Sequence, residues 1–305
     1  MQPIVSSVIL CTRNRPDDVA RFLPSLRDQV ELPHELIVVD SSTTPLHDTA
    51  HFVAALQELQ ARGVRCIYAH TRPGLTYQRN YGISIATGDV FYFFDDDVIL
   101  EPDYLRAMNM IFANHPHYAG GMGTVTNMAQ RRTRLDRAVR RLFLLTRYDA
   151  RGQFTASGMP THAYGTMQFG DVETLGGCCM AYRRAVFTQN TFDEQFGGYA
   201  YMEDADMAYR VSRTARLFYN PQARLQHLHS PVSRDKREHN RAMFMCNFSY
   251  LFFKNIYPNA RWRIIPYTWT VLGLFAHACL ARDRAFFKGY ARGLVLFYRT
   301  RRPAV

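Results

Sequence analysis

Short apolar runs alternate with amphipathic segments through the first half of the chain. Four runs have the length and continuous hydrophobicity of buried strands, at residues 5–11, 36–39, 64–69 and 90–94. Apolar side chains at helical spacing follow each run, and after the first run they are Val19, Phe22, Leu23 and Leu26. This β-α-β-α order predicts a mostly parallel sheet with helices on both faces, which binds ligands at the carboxyl ends of its strands.

Capping and breaking residues indicate where some of these elements begin. Asn14 and Pro16 follow the first apolar run and predict a helix start, with Asn14 as the capping residue. The second half of the chain is less regular. Its pattern predicts a loop over 152–177, a strand over 178–182 and a helix that starts near Glu203.

Three consecutive carboxylates, Asp95-Asp96-Asp97, come directly after the apolar run over 90–94. Such carboxylates repel one another and resist removal from water, and a bound cation relieves both costs. Their hard oxygen ligands suit Mg or Mn, which typically bridge substrate phosphates. The alternative is a solvated acidic turn, which the position at a strand end disfavours.

Three other groups of polar residues are candidates for chemistry, each with an ordinary alternative. Asp204, in the pair Glu203-Asp204, could act as a general base, although carboxylates at a helix start also interact favourably with the helix dipole. His227 and His229 are either metal ligands or structural histidines. Arg79 either pairs with a diphosphate or lies on a helix surface.

The charge balance and the cysteines narrow the choice of partner and compartment. The 305 residues include 37 Lys and Arg against 26 Asp and Glu, a net charge of +11 that favours anionic partners such as nucleotides, lipid phosphates, membranes or nucleic acid. Six cysteines without zinc-finger spacing argue against a structural zinc site and fit a reducing, cytoplasmic setting. Residues 1–10 lack the pattern of a signal peptide.

The tail over 241–305 mixes aromatic and basic side chains. This mixture is typical of helices that lie on anionic lipid, and the alternative is a helical pair packed on the preceding domain. Within the tail, 264–281 holds 18 residues without Asp, Glu, Lys or Arg, the lower limit for a membrane span. Pro266 and His277 disfavour a span, so spanning, interfacial and buried helices all stay open.

Taken together, the order and spacing of these motifs resemble the family 2 glycosyltransferases. The resemblance covers roughly the first three quarters of the chain, at residues 8–15, 36–42, 79–82, 88–97, 176–178, 183–184, 192–193, 197–198, 203–204 and 227. It implies the GT-A fold, a Rossmann-like α/β fold with a mostly parallel sheet flanked by helices, here with a helical C-terminal appendage. It also implies a catalytic domain over 1–240, with a nucleotide-sugar half over 1–125 and an acceptor half over 126–240, followed by the tail.

The resemblance implies a role for each residue that matches a family motif. Asp97 would be the direct ligand of a Mn or Mg cofactor, and His227 the second protein ligand, with His229 as its alternative. Asp204 would be the catalytic base. The nucleotide sugar would be bound by residues near the strand ends, namely Thr12, Arg13, Asp40, Arg79, Asp95 and Asp96, with Asp40 meeting the base.

The implied activity is the metal-dependent, inverting transfer of a sugar, of the hexosyl type, from a nucleotide diphosphate sugar to a hydroxyl. The acceptor would be a glycan or a lipid-linked molecule in surface polysaccharide or glycoconjugate synthesis. The enzyme would act in the cytoplasm, in peripheral contact with the anionic inner face of the membrane. Two departures leave the substrates open, because residues 41–44 differ from the usual continuation after Asp40 and 131–170 matches no family motif.

Two other classes of protein account for part of the sequence. A nucleotide-binding scaffold with a degenerate transferase fold is disfavoured because Asp97, Asp204 and His227 are all present. A nucleic-acid-binding protein is suggested by the basic charge, but the expected sequence modules are absent. The sequence therefore favours an enzyme that binds no nucleic acid.

Overall fold

The structure is a computed structural model that describes residues 3–128, 133–146, 152–228 and 237–304. Within these residues, nine strands form one sheet: β1 (Ser6–Thr12), β2 (Glu35–Asp40), β3 (Arg65–His70), β4 (Val90–Phe94), β5 (Val98–Leu100), β6 (Tyr118–Val125), β7 (Gly170–Val172), β8 (Cys179–Arg183) and β9 (Arg216–His227). The α-helices of the same residues are α1 (Pro16–Arg27), α2 (Ala50–Ala61), α3 (Leu75–Ile85), α4 (Tyr104–Asn114), α5 (Arg134–Leu142), α6 (Glu203–Ser212), α7 (Arg237–Leu251), α8 (Ile264–Leu280) and α9 (Arg284–Thr300).

The first half of the chain forms the parallel part of the sheet, in the order β3-β2-β1-β4. Strands β1, β2 and β4 are buried along their whole length, which explains why they are continuous apolar runs in the sequence. Asp40 is the last residue of β2, and Asp95 directly follows β4. The predicted α/β fold is confirmed, and its polar residues lie at the carboxyl ends of the strands.

The second half of the chain extends the sheet with mixed strand directions. Strand β8 pairs antiparallel with both β4 and β6, and β5 pairs antiparallel with β9. In the β5–β9 register, His227 lies opposite Val98, and the backbone N–H of Leu228 donates to the carbonyl of Asp97 at 2.8 Å. This pairing brings His227 beside the Asp triplet although the two are far apart in the sequence.

Strand β6 was not predicted, and its glycines explain why. Its sequence contains Gly120, Gly121 and Gly123, which break any apolar pattern. At Gly121 an added side chain would overlap the ring of Phe218, the residue paired with it on β9. Close packing of β6 against its neighbour therefore requires a residue type that sequence patterns treat as a turn former.

The predicted cap of α1 is wrong. The helix does begin at Pro16, but its capping residue is Arg15, whose side chain makes no capping hydrogen bond. The side-chain oxygen of Asn14 instead accepts from the backbone N–H of Thr43 at 2.9 Å, and Asn14 has a φ of 55°. The amide of Asn14 is used to fix the loop after β2, close to the end of the sheet.

Helices α7, α8 and α9 pack against the region around α6. A second apolar core forms there, separate from the core of the sheet, and it includes Phe196, Met202, Tyr209, Phe248, Phe252, Tyr267 and Leu274. Lys254 lies in a π-helical turn after α7 and donates to Asp193 at 2.7 Å and to Asp206 at 2.9 Å. The tail is therefore packed on the domain through both apolar and ionic contacts.

The apolar segment predicted over 264–281 forms α8, which begins at Ile264 and ends at Leu280. One side of α8 is buried in the second core, while Ile265 and Leu272 are 72% and 54% exposed. None of the helices formed by the described residues is both long and apolar enough to cross a membrane.

Candidate active site

A cavity of about 970 Å³ opens at the carboxyl ends of β1 and β4. It is lined by residues that follow these strands, by Gly177 and the start of α6, and by residues of α5 and the tail helices. Almost every residue predicted for the site lines this cavity, namely Thr12, Arg13, Arg79, Asp95, Asp96, Asp97, Asp204 and His227. The fold therefore brings together residues from several distant segments of the chain.

Asp95, Asp97 and His227 form a group that fits a divalent metal ion. Their ligand atoms all lie within 4.8 Å of one another. His227 Nε2 is 2.9 Å from Asp97 Oδ1 and 3.9 Å from Asp95 Oδ2. Two carboxylates and an imidazole are a donor set that Mn or Mg can use. The structure adds Asp95 to the predicted ligands, and His229 lies outside the described residues.

The electrostatics of this group favour a positive charge. Burial opposes the charged form of His227, but its hydrogen bonds with Asp97 and Cys178 and the nearby charge of Asp95 together outweigh this effect and raise the pKa of His227 to about 11. Burial also raises the pKa of Asp95. The carboxylates are thus held in an environment where a bound cation is strongly stabilising.

Asp96 points away from the metal-ligand group, towards β1. Its carboxylate accepts from Thr12 Oγ1 at 2.7 Å and from Arg15 at 2.9 Å. Burial raises the pKa of Asp96 to about 7, although Arg15 opposes the shift. Arg13 is exposed beside them at the edge of the cavity. Arg15 was not predicted, since an arginine in a loop before a helix carries no distinctive signal.

Asp40 is fully buried and does not line the cavity. Its carboxylate accepts from the backbone N–H groups of Ser42 and Leu46 and from the hydroxyl of Tyr68, at 2.8 to 2.9 Å. These bonds hold the loop that follows β2. Both carboxylate oxygens of Asp40 therefore accept hydrogen bonds from within the protein. The predicted contact of Asp40 with a nucleotide base stays a prediction.

Arg79 connects the metal-ligand group to α6. Its side chain is 3% exposed, forms an ion pair with Glu203 and lies 3.7 Å from Asp95. It also donates to the carbonyl of Gly177 at 3.2 Å. The guanidinium of Arg79 therefore already interacts with Glu203, Asp95 and the carbonyl of Gly177. The sequence had predicted that it pairs directly with a diphosphate.

Asp204 is held at the start of α6 by backbone donors. Its Oδ2 accepts from Gly177 N at 2.8 Å, and its Oδ1 accepts from the N–H of the next residue, Ala205, at 2.8 Å. The preceding Met202 has a φ of 73°, in the left-handed region that costs energy for a residue with a side chain. This turn directs the Asp204 carboxylate at the cavity.

His162 lies in the same cavity and was not predicted. Its Nδ1 is buried without a hydrogen-bond partner among the described residues. Burial lowers the pKa of His162, and the nearby charge of Asp204 opposes the shift. The imidazole is therefore neutral and available to a ligand. A single histidine in an irregular loop gives no sequence signal that could have indicated this position.

The mixed sheet, with an acidic group at the end of β4, is the GT-A fold. The chain belongs to Glycosyl transferase family 2, whose model matches residues 7–190, and the resemblance inferred from the sequence is confirmed. The match includes the Asp triplet and Arg79, and it ends before Asp204, His227 and the tail helices.

Three solved structures of low sequence identity share this fold. GalNAc-T7 with UDP, GalNAc and Mn²⁺ has a TM-score of 0.55 at 12% identity, covering 85% of this chain and 52% of GalNAc-T7. The mannosyltransferase PcManGT from Pyrobaculum calidifontis, with GDP-Man and Mn²⁺, has a TM-score of 0.54 at 15% identity, covering 99% and 82%. TarS from S. aureus has a TM-score of 0.54 at 17% identity, covering 94% and 55%.

The chain spans about half the length of two of these proteins. At such low sequence identities the comparison establishes the fold alone. The ligands named for these proteins are properties of those proteins. No curated protein sequence matches the chain significantly.

Proposed function

We propose that the protein is a metal-dependent, inverting glycosyltransferase that moves a hexosyl group from a nucleotide diphosphate sugar to a hydroxyl. The observation that carries the proposal is a single cavity lined by the group Asp95, Asp97 and His227 and by Asp204, with the buried Arg79 between them. Family membership supports sugar transfer. The partners are a sugar donor and an acceptor, not a nucleic acid.

The donor would bind at the end of the cavity formed by β1 and β4. Thr12, Arg13 and Asp96, which line this part of the cavity, would contact the nucleoside, and Arg15 adds a second cation there. GalNAc-T7 and PcManGT were solved with UDP and GDP-Man, each with Mn²⁺, which supports a nucleotide donor for this fold. Arg79 would favour the diphosphate through its positive charge.

Asp97, His227 and Asp95 would hold the Mn or Mg ion. When bound there, the cation offsets the negative charge that develops on the departing nucleoside diphosphate. The three side chains contribute fixed donors and exclude water from the inner part of the site, because Asp97 is buried and His227 is mostly buried.

Asp204 would accept the proton of the acceptor hydroxyl. The hydroxyl oxygen attacks the anomeric carbon, the bond from that carbon to the diphosphate oxygen breaks, and the proton passes to the Asp204 carboxylate. The N–H of Gly177 fixes one carboxylate oxygen at 2.8 Å, which orients the group before reaction. A single displacement of this kind inverts the configuration and needs no covalent intermediate with the enzyme.

The protein would work in peripheral contact with an anionic membrane at its cytoplasmic face, on a glycan or lipid-linked acceptor in surface polysaccharide or glycoconjugate synthesis. We call the supporting surface the α5–α8 face. Its exposed apolar residues are Leu142, Trp262, Ile265, Trp269 and Leu272, and its exposed basic residues are Arg134, Arg137, Arg141 and Arg261. Apolar side chains flanked by arginines suit insertion among anionic headgroups.

A donor panel tests the proposed reaction. Purified protein is incubated with Mn²⁺ or Mg²⁺ and a set of nucleotide sugars, and release of nucleoside diphosphate is followed. We expect slow, metal-dependent release from one donor, and a loss of at least about a hundredfold in Asp204→Asn, which removes the proton acceptor but preserves its shape. The exposed Asp48→Asn is the matched control. Undiminished release by Asp204→Asn would contradict the assignment of the base.

A further inference from the structure

The turn that leads into Asp204 has an unfavourable backbone. Ala200 and Met202 have φ angles of 52° and 73°, in the left-handed region, which costs energy for residues that carry a side chain. Such angles persist only where neighbouring contacts hold them, and they are frequent in active sites. The backbone N–H groups of Gly177 and Ala205 hold the carboxylate of Asp204 itself. The contacts that hold the turn therefore decide where that carboxylate lies.

Asn247 of α7 holds this turn on one side. The side chain is fully buried, and its Nδ2 donates to the carbonyl of Tyr201 at 2.8 Å. That carbonyl lies between the two left-handed residues. The other end of the amide, Oδ1, accepts from the backbone N–H of Ala304 at 2.7 Å. Because both ends of its amide are bonded, Asn247 has one fixed orientation, which directs its donor at the strained turn.

Lys254 holds the first turn of α6 on the other side. Asp206, two residues after Asp204, is fully buried, and Lys254 Nζ donates to its Oδ1 at 2.9 Å. Asn255 Nδ2 donates to the same oxygen at 2.7 Å. Lys254 also donates to Asp193 at 2.7 Å. A buried carboxylate is costly without such partners, so these contacts favour one placement of α6 relative to the tail.

The two donors to Asp206 lie in an unusual part of the tail. The segment Phe252–Ile256, which contains Lys254 and Asn255, is a π-helical turn. Turns of this kind are rare in proteins, and many of them lie at functional sites. Both α6 and the tail lie beyond residues 7–190, which the family model matches. The family match therefore assigns no role to these tail residues.

We propose that Asn247 and Lys254 are positioning residues for sugar transfer. They hold the turn before Asp204 and the helix after it, so that the carboxylate reaches the acceptor hydroxyl. The inference rests on the proposed function, because it takes Asp204 as the proton acceptor. Neither Asn247 nor Lys254 lines the cavity, and each acts through the backbone that carries Asp204. The tail is then part of the catalytic apparatus, in addition to any membrane contact.

Steady-state kinetics of the full chain test the inference, with the donor that the panel identifies. Lys254→Met removes both ionic contacts, while Arg210 and Asn255 still bond Asp206. We expect kcat to fall at least about tenfold and the KM for the donor to stay unchanged, because misplacing a catalytic group slows the reaction without weakening donor binding. Asn247→Leu, which removes the hydrogen bond to the turn without adding charge, should have the same effect. Wild-type kcat in both variants would overturn the proposal.

Two further variants separate positioning from simple stabilisation of the fold. Lys254→Arg keeps the positive charge and should recover most of the lost kcat. Ser249→Ala is the matched control, because Ser249 is fully buried on the same helix and accepts from the hydroxyl of Tyr267, a residue of α8, at 2.7 Å. It should lower the stability of the tail and keep wild-type kcat. A kcat loss in Ser249→Ala equal to that in Asn247→Leu would mean that kcat only follows the stability of the tail, which contradicts the proposal.

A double variant tests whether Lys254 acts through the base. Residues that act as a unit have strongly non-additive effects on the rate. In an Asp204→Asn background, Lys254→Met should therefore lower the remaining kcat by less than about twofold. A further loss as large as the one in the wild-type background would show that Lys254 acts independently of Asp204, against the proposal.

Amide hydrogen exchange tests the same inference without turnover. Peptides that cover 199–206 should exchange about tenfold faster in Asn247→Leu and in Lys254→Met than in wild type, the effect of losing one buried contact. Unchanged exchange in both variants is incompatible with the inference. Nucleotide binding with Mn²⁺ should match wild type in every variant. If wild-type protein binds no nucleotide and turns over no donor, the transferase proposal fails; if it turns over a donor and the tail variants match it, the positioning inference fails alone.

Discussion

Arg79 links two parts of the cavity, the carboxylates that follow β4 and the start of α6. It is buried between Glu203, which precedes Asp204, and Asp95, which belongs to the metal-ligand group. A buried ion pair is expensive to form, and removing one partner leaves an uncompensated charge in a dry environment. The pair is therefore expected to determine the relative position of the base and the metal ligands.

Replacing Arg79 by Met should lower the free energy of unfolding by about 3–5 kcal/mol, because Glu203 loses its partner while it stays buried. Urea denaturation at neutral pH measures this change. The control is Arg72→Met, which removes an exposed arginine whose 3.2 Å ion pair with Glu194 lies at the surface. That variant should change stability by less than about 1 kcal/mol. Equal effects of the two substitutions would contradict the buried role of Arg79.

Some site residues could be predicted from the sequence and others could not. The triplet Asp95-Asp96-Asp97 was recognisable because three carboxylates at a strand end are costly without a compensating partner. The different contacts of the three carboxylates could not be predicted: Asp95 faces His227, whereas Asp96 faces Thr12 and Arg15. Side-chain direction at a strand end depends on tertiary contacts that no local pattern encodes.

Strand β9 is the element that completes the site. Its pairing with β5 carries His227 to the position opposite Val98, directly after Asp97. Neither β5 nor β6 was predicted, because β5 has three residues and β6 owes its close packing to glycines. Strands β1, β2 and β4 were predictable for the opposite reason, since they are buried along their whole length and form continuous apolar runs in the sequence.

Helix α8 carries the exposed apolar positions of the α5–α8 face. Ile265, Trp269 and Leu272 recur at helical spacing and are all exposed, at 72%, 41% and 54%. Water contacts over such a stretch are unfavourable, and an anionic interface with neighbouring arginines would relieve them. The membrane contact predicted from the aromatic and basic composition of the tail stays a proposal, and this helix surface is where we propose that it forms.

The double substitution Ile265→Glu/Leu272→Glu should abolish binding to vesicles that contain anionic phospholipid. It replaces apolar contact with negative charge and should reduce the bound fraction at least about tenfold. Co-sedimentation with the vesicles measures the effect. The exposed Val30→Glu, far from α8 in the sequence, is the control and should bind as wild type. Retention of full binding by the double variant would rule out this face as the contact.

The whole molecule has an uneven distribution of charge. A net charge of +11 coexists with three consecutive carboxylates, Asp95 to Asp97, that line the cavity. The excess of arginine in α5 and the tail helices explains much of that positive balance. Anionic partners, inferred from the composition, stay a proposal, which the exposed arginines of the α5–α8 face support.

The tail helices also affect where a domain boundary can be placed in the chain. The predicted boundary between 240 and 241 falls inside α7, which runs from Arg237 to Leu251. The helices after it share an apolar core with Phe196 and Met202, next to Asp204. The division into a catalytic domain and a tail stays a prediction, and the shared core explains why the tail helices can line the same cavity as Asp204.

The measurement that tests the central claim most directly is nucleotide binding with and without metal. Calorimetry with UDP and GDP should show that one of them binds wild-type protein only when Mn²⁺ or Mg²⁺ is present. Affinity should fall at least about tenfold in Asp97→Ala and in His227→Ala, which each remove a metal ligand. The exposed Asp48→Ala and His51→Ala should match wild type. Nucleotide binding that needs no metal, or that survives both ligand substitutions, would contradict a metal-dependent transferase.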